Sequence, residues 1–161
     1  ENVCVPSRLL GLTESEAEAK AIEKLKIVGL EEWMKYHPSE LSSGQQQRVS
    51  LARALTLDPL IIVADEPTGN LDTVSGDQLM EYLQKLTQDN GMTVIMVTHD
   101  LEYLRYATVL FYIIDGKLVE KFDNEGAKKM AAKAKTKKGD RLKVNVRDTN
   151  FLKEADYANG K

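Results

Sequence analysis

Cysteine is nearly absent: Cys4 stands alone in 161 residues. No internal disulfide can form, and the usage suits a reducing compartment. A lone small thiol of this kind is expected to be buried as an apolar residue. Long apolar runs are also missing. The longest are five or six residues, against the roughly 20 that a membrane-spanning helix needs. No basic-then-apolar leader opens the chain. It begins on Glu1-Asn2-Val3 rather than Met, as expected of a fragment or processed product. Aromatics make up only 6% of the residues, with a single tryptophan, Trp33, expected as a packing anchor. Neither sign of charge dominates, at 22 Lys+Arg against 25 Asp+Glu, so net charge says little about partners. What is present is ordinary globular composition, 42% hydrophobic, in a chain long enough to bury roughly 70% of its unfolded surface.

The sequence is organised around residues 60 to 66. Leu60, Ile61, Ile62, Val63 and Ala64 read as a strand buried on both faces, bracketed by Pro59 and Pro67. Such a run is typical of a central parallel strand. Asp65 and Glu66 follow at once. In open α/β sheets ligands bind beyond the carboxyl ends of the strands. Adjacent strand residues point to opposite sides, so one acid can hold a metal while the other faces a water. Ordinary solvated acids are the plain alternative.

Upstream, residues 1 to 12 are mixed, with Pro6 and Gly11. Thr13-Glu14-Ser15-Glu16 reads as a capping box opening a helix with Ala17, Ala21, Leu25 and Val28 on one stripe. Gly29 stops it, and Leu30 to Met34 predict a short second helix. His37, beside Pro38, reads as a structural loop histidine. Leu41-Ser42-Ser43-Gly44-Gln45 then precedes a helix running to Leu57, with Ser42 or Ser43 as its cap. A helix start with free N–H groups, a hydroxyl and a glycine is an anion site, or simply a capped helix. Downstream, Pro67 to Asn70 must turn, and Ser75 to Asp89 predict a helix with Leu79, Leu83 and Leu86 inward. Met92 to Val97 predict a second apolar strand ending in Thr98, His99 and Asp100. Strand, helix and strand in that order predict a parallel unit, with His99 on the same edge as Asp65 and Glu66. A short helix at 101 to 106 and a hairpin about Asp115-Gly116 follow. Residues 127 to 138 hold six lysines and no acid. This reads as a solvated helix or disordered segment, with attraction to anionic lipid or nucleic acid as the functional alternative. Leu142, Val144 and Val146 could add an edge strand.

Four stretches taken together resemble the ATP-binding cassette (ABC) ATPases. Leu41 to Gln45 resembles the signature motif, and Ile61 to Glu66 resembles Walker B with its catalytic glutamate. Gly69-Asn70-Leu71-Asp72 resembles the D-loop, and Val97-Thr98-His99-Asp100 the switch-histidine loop. The wording from Ala64 to Asp72 is similar to the ATPase subunits of lipoprotein-release and macrolide-export transporters. The resemblance covers about residues 1 to 122. Ser43 stands where the family usually has glycine. No G-x-x-x-x-G-K-[ST] phosphate loop occurs in the 161 residues.

The resemblance implies an α/β fold of the P-loop NTPase (ABC ATPase) type, incomplete. It divides into a helical signature subdomain (1–58), half of the catalytic core (59–122) and a lysine-rich extension (123–161). It implies ATP and Mg²⁺, a head-to-tail dimer with a second nucleotide-binding domain, and a transmembrane permease partner at the cytoplasmic membrane face. Nucleic acid is not favoured. Ser42, Ser43, Gly44 and Gln45 are implied to act on the partner's ATP, and Asp65 to bind Mg²⁺ through water. Glu66 is implied as the base, His99 as holder of the γ-phosphate and Asp72 as the coupling residue across the dimer. The alternatives are a soluble ABC ATPase of DNA repair or translation, and a non-catalytic remnant. Without the phosphate loop, the chain alone is expected to be inactive.

Overall fold

The computed structural model describes residues 1–135, with side chains described as far as Lys129. The suggested edge strand at Leu142, Val144 and Val146 lies outside the described residues. The chain divides into two compact units, Glu1–His99 and Asp100–Lys161.

The first unit begins with a 3₁₀ turn at Asn2–Cys4 and a short helix, α1 (Val5–Leu9). Cys4 is buried, as expected. The sequence pattern around Pro6 gave no sign of α1, yet proline in a first helical turn is compatible with helix because that N–H has no partner anyway. Helix α2 (Glu14–Ile27) starts on the expected box. Thr13 N–H donates to the Glu16 carboxylate at 2.9 Å, while Thr13 Oγ1 accepts from the Glu16 N–H at 3.4 Å. Its inward stripe of Ala17, Ala21 and Leu25, continued by Val28 and Leu30, is buried. The expected second helix is a single 3₁₀ turn, Glu31–Trp33. His37 opens another at Pro38–Glu40, its N–H held by the Glu40 carboxylate at 2.6 Å. Helix α3 (Ser43–Leu55) packs on α2 and buries Leu51, Ala52 and Leu55.

Strand β1 (Ile61–Asp65), helix α4 (Thr73–Asn90) and strand β2 (Thr93–Val97) form the expected parallel unit. The strands are direct neighbours, in register from Ile61 opposite Thr93 to Asp65 opposite Val97. Leu79, Met80, Leu83 and Leu86 of α4 are buried, and α4 lies against β2. Gly91 closes the helix in the left-handed region at φ 64°.

One expectation needs correcting. β1 is covered on one face only: Ile62 is 7% exposed, whereas Ile61 is 55% and Val63 is 72% exposed. Ile95 and Val97 of β2 share the open face, at 51% and 57%. The apolar run carried the signal of a two-sided strand, but nothing among the described residues of this unit covers the second side.

In the second unit a 3₁₀ segment (Leu101–Tyr106) leads into an antiparallel hairpin, β3 (Val109–Ile114) and β4 (Lys117–Asp123). Its two-residue turn has positive φ at Asp115 (49°) and Gly116 (74°), the twist that suits a tight hairpin. Helix α5 (Asn124–Lys135) carries the first part of the lysine run, with Ala127 fully buried and Lys128 and Lys129 exposed. Among the described residues no helix is long and apolar enough to cross a membrane.

Truncation of the α4 core, as in Leu83→Ala, is expected to cost about 2–5 kcal/mol in urea unfolding. The open face of Ile61, Val63, Ile95 and Val97 is expected to make the thermal melt rise with protein concentration. Val63→Lys should weaken that dependence. A sharp melt of a monomer that ignores concentration would count against this.

Candidate functional site

Parallel pairing of β1 with β2 sets the site. Because Asp65 lies opposite Val97, both strands end on the same edge, and residues 66 and 98–99 emerge together. The Glu66 N–H donates to the Val97 carbonyl at 2.9 Å, which carries the ladder one bond past the strand. Glu66 itself has φ 43°, in the left-handed region that non-glycine residues rarely adopt. Strand alternation therefore stops at Asp65, and it does not direct the Glu66 side chain. Asp65 lies on the open face with Val63 and is exposed.

Hydrogen bonds aim Glu66 instead. Oε1 accepts from the His99 N–H at 3.0 Å and meets His99 Nδ1 at 2.7 Å. Oε2 accepts from the Thr98 hydroxyl at 3.2 Å. The His99 ring is 83% exposed and the Glu66 side chain 37%. Chiefly the His99 ring, helped by its backbone N–H and the Thr98 hydroxyl and opposed by slight burial, holds the Glu66 carboxyl below the usual carboxylate range. The expectation that Glu66 and His99 meet at one edge is thus matched by the geometry.

The signature-like helix lies in the same unit. Ser42 caps α3: its Oγ accepts from the Gln45 N–H at 3.3 Å, and the Gln45 side chain accepts from the Ser42 N–H at 2.9 Å. The N–H groups of Ser43 and Gly44, in the first turn, have no partner within the helix by construction. Ser42 and Ser43 are exposed, while Gly44 is buried. A Cβ at Gly44 would lie 2.8 Å from Ser75 Cβ and Oγ, so glycine is needed here for close packing on the first turn of α4. Asp72 caps α4, accepting from the Ser75 N–H at 3.0 Å and from its hydroxyl at 2.8 Å. The Ser75 N–H, then its hydroxyl, hold the Asp72 carboxyl below its ordinary value. A cavity of about 220 Å³ is lined by Ser43, Gln46, Gln47 and Ser50 of α3 and by Glu66, Pro67, Asn70 and Leu71.

Two participants escaped the sequence reading. Ser75 carried no signal, because its contact with Gly44 depends on how two helices meet. Thr98 was part of a quoted motif, but its bond to Glu66 was not legible. As to a metal, no group of three or more His, Cys, Asp or Glu side chains converges among the described residues. The exposed Asp65 carboxylate fits a hard ion such as Mg²⁺, which binds through one or two carboxylates, water and phosphate oxygens rather than an all-protein cage.

A parallel strand–helix–strand unit with acids and a histidine at one edge, and a capped Ser-Ser-Gly helix start beside them, has the construction of a P-loop NTPase core. Residues 1–69 match the family described as ABC transporter. The chain is 40% identical over 121 residues to the lipoprotein-releasing system ATP-binding protein LolD of Ruegeria sp., covering 75% of this chain and 53% of that protein. It is 48% identical to the macrolide export ATP-binding/permease protein MacB of Mannheimia succiniciproducens, covering 74% of this chain and 18% of that one. Among solved structures, the dimeric bacterial ABC transporter cassette MJ0796 superposes with a TM-score of 0.68 at 39% identity, over 77% of this chain and 55% of that one. The chain is similar over about three quarters of its length to ATP-binding proteins of ABC transporters. It spans about half the length of the curated ATP-binding proteins it matches.

Because the Glu66 pKa is depressed, the pair stabilises the fold above the ordinary glutamate value. That stabilisation is lost as pH falls through the depressed value. His99→Ala is expected to return the Glu66 titration, followed by carboxyl NMR, toward ordinary glutamate. An unchanged midpoint would remove the ring bond as its cause.

Proposed function

We propose that this chain is the signature-to-histidine-loop portion of an ATP-hydrolysing transporter motor, driving export or extraction of a substrate at a membrane. The observation that carries this is the Glu66–His99 contact at 2.7 Å on the shared strand edge. The Glu66 carboxylate accepts a proton from the attacking water, or orients that water. General bases of this kind contribute about 10²- to 10⁴-fold. The exposed His99 ring, steered through Nδ1 by Glu66, turns its other nitrogen to the γ-phosphate. Asp65 would hold Mg²⁺, which would offset charge on the phosphate oxygens.

Ser42, Ser43, Gly44 and Gln45 serve the ATP of a second nucleotide-binding domain in a head-to-tail dimer. First-turn N–H groups suit a phosphate there. Asp72, fastened to Ser75, couples the two sites. The partner on the membrane side is a permease subunit, and the motor works on the cytoplasmic face. In this reading no nucleic acid is bound. Support comes from the names and the dimeric form of the relatives reported above.

Phosphoryl transfer rests on positioning and charge stabilisation, and a cradle for the phosphates is supplied by other polypeptide. The 161-residue chain alone is expected to show no Glu66-dependent ATP turnover. Mixed with a polypeptide carrying a G-x-x-x-x-G-K-[ST] half-cassette, it is expected to hydrolyse ATP. Glu66→Gln should then reduce turnover by about 10²-fold or more. Turnover that depends on Glu66 in the isolated chain, or that ignores Glu66→Gln in the mixture, would overturn the reading.

A further inference from the structure

Among the described residues three bonds reach the Glu66 carboxylate, and they are shared unequally between its oxygens. Two fall on Oε1, both from His99, and one falls on Oε2, from the Thr98 hydroxyl at 3.2 Å. A carboxylate gripped only through Oε1 can still swing about that oxygen, because its terminal torsion is broad and has no sharp staggered wells. Packing does not restrain it either, since the side chain is more than a third exposed. The bond to Oε2 is what removes the remaining freedom.

We propose that Thr98 is a positioning residue whose hydroxyl fixes the plane of the Glu66 carboxylate, and so the direction in which it meets the attacking water. The proposal rests on the reading of Glu66 as the base. The direction of the bond is unambiguous: an ionised carboxylate has no proton to give, so the hydroxyl donates. The backbone supports the same assignment. Glu66 leaves its strand at φ 43° with its N–H on the Val97 carbonyl, and Thr98 follows Val97 directly. The root of the glutamate and the donor to its tip are therefore anchored to adjacent residues of one strand end. Thr98 is half-buried, and its β-branch restricts χ1, so the hydroxyl is itself held. A water in its place could donate a bond but could not keep a direction.

The test uses the 161-residue chain, labelled at glutamate carboxyls, with Thr98→Val, Thr98→Ala, Thr98→Ser and His99→Ala. Loss of the hydroxyl in Thr98→Val and Thr98→Ala is expected to average the Glu66 side-chain couplings over rotamers. Thr98→Ser is expected to stay near the parent. In the mixture with the phosphate-loop half-cassette, Thr98→Val is expected to lower kcat by about tenfold with KM for ATP little changed, and Thr98→Ser to recover most of it. Glu66 side-chain couplings that coincide in Thr98→Val, Thr98→Ala and parent would overturn the proposal. So would an unchanged kcat in Thr98→Val while Glu66→Gln abolishes turnover. Turnover untouched by Glu66→Gln would instead sink the reading of Glu66 as the base, which the couplings do not depend on.

Discussion

The rest of the site depends on one main-chain bond, from the Glu66 N–H to the Val97 carbonyl. It extends a parallel ladder one step beyond the strands and forces Glu66 into a left-handed turn. That turn presents the carboxylate to the two residues that end the neighbouring strand. Parallel pairing is the deeper constraint. Two strands running the same way end on one edge whatever their loops do, so acids after the first and an imidazole after the second must meet. An antiparallel pair would have sent them to opposite ends.

Polar contacts close to the chain's own sequence were the most readable part. Thr13 with Glu16, Ser42 with Gln45 and the Asp115-Gly116 turn all depend on neighbours three residues apart or fewer, and their chemistry is written locally. The meeting of Glu66 with His99 was readable too, because it follows from two strand ends and the direction of the crossover. What covers a strand was not. Ile61 and Val63 look the same in a sequence whether or not a layer lies over them, and here the described residues of their unit leave them open. Helix α1 was hidden by Pro6, which punctuates a helix interior but is tolerated in a first turn. The bond from Thr98 to Glu66 was hidden for another reason. It joins residues 32 apart, and nothing in the local pattern distinguishes a threonine that reaches a carboxylate from one that merely ends a strand.

The signature-like stretch shows how one residue can answer two demands. Ser42 works as a helix cap, and its hydroxyl is already engaged with Gln45. Gly44 was expected to let a ligand approach, yet the close approach seen is to Ser75. A capped helix start is stiff, and a stiff start is what an anion-binding end requires. Local stability and the proposed role therefore draw on the same geometry rather than compete for it.

The contact of Gly44 with Ser75 acts as a spacer gauge between two helices. A single methyl at position 44 has no room, so α3 and α4 keep their separation only while that position stays bare. Ser75 is in turn clamped to Asp72, and a short tight turn leads from Asp72 back to Glu66. Covalent and hydrogen bonds thus run without a break from the helix junction to the strand edge. The placement of the Glu66 carboxylate is tied, in part, to an atom the sequence does not contain.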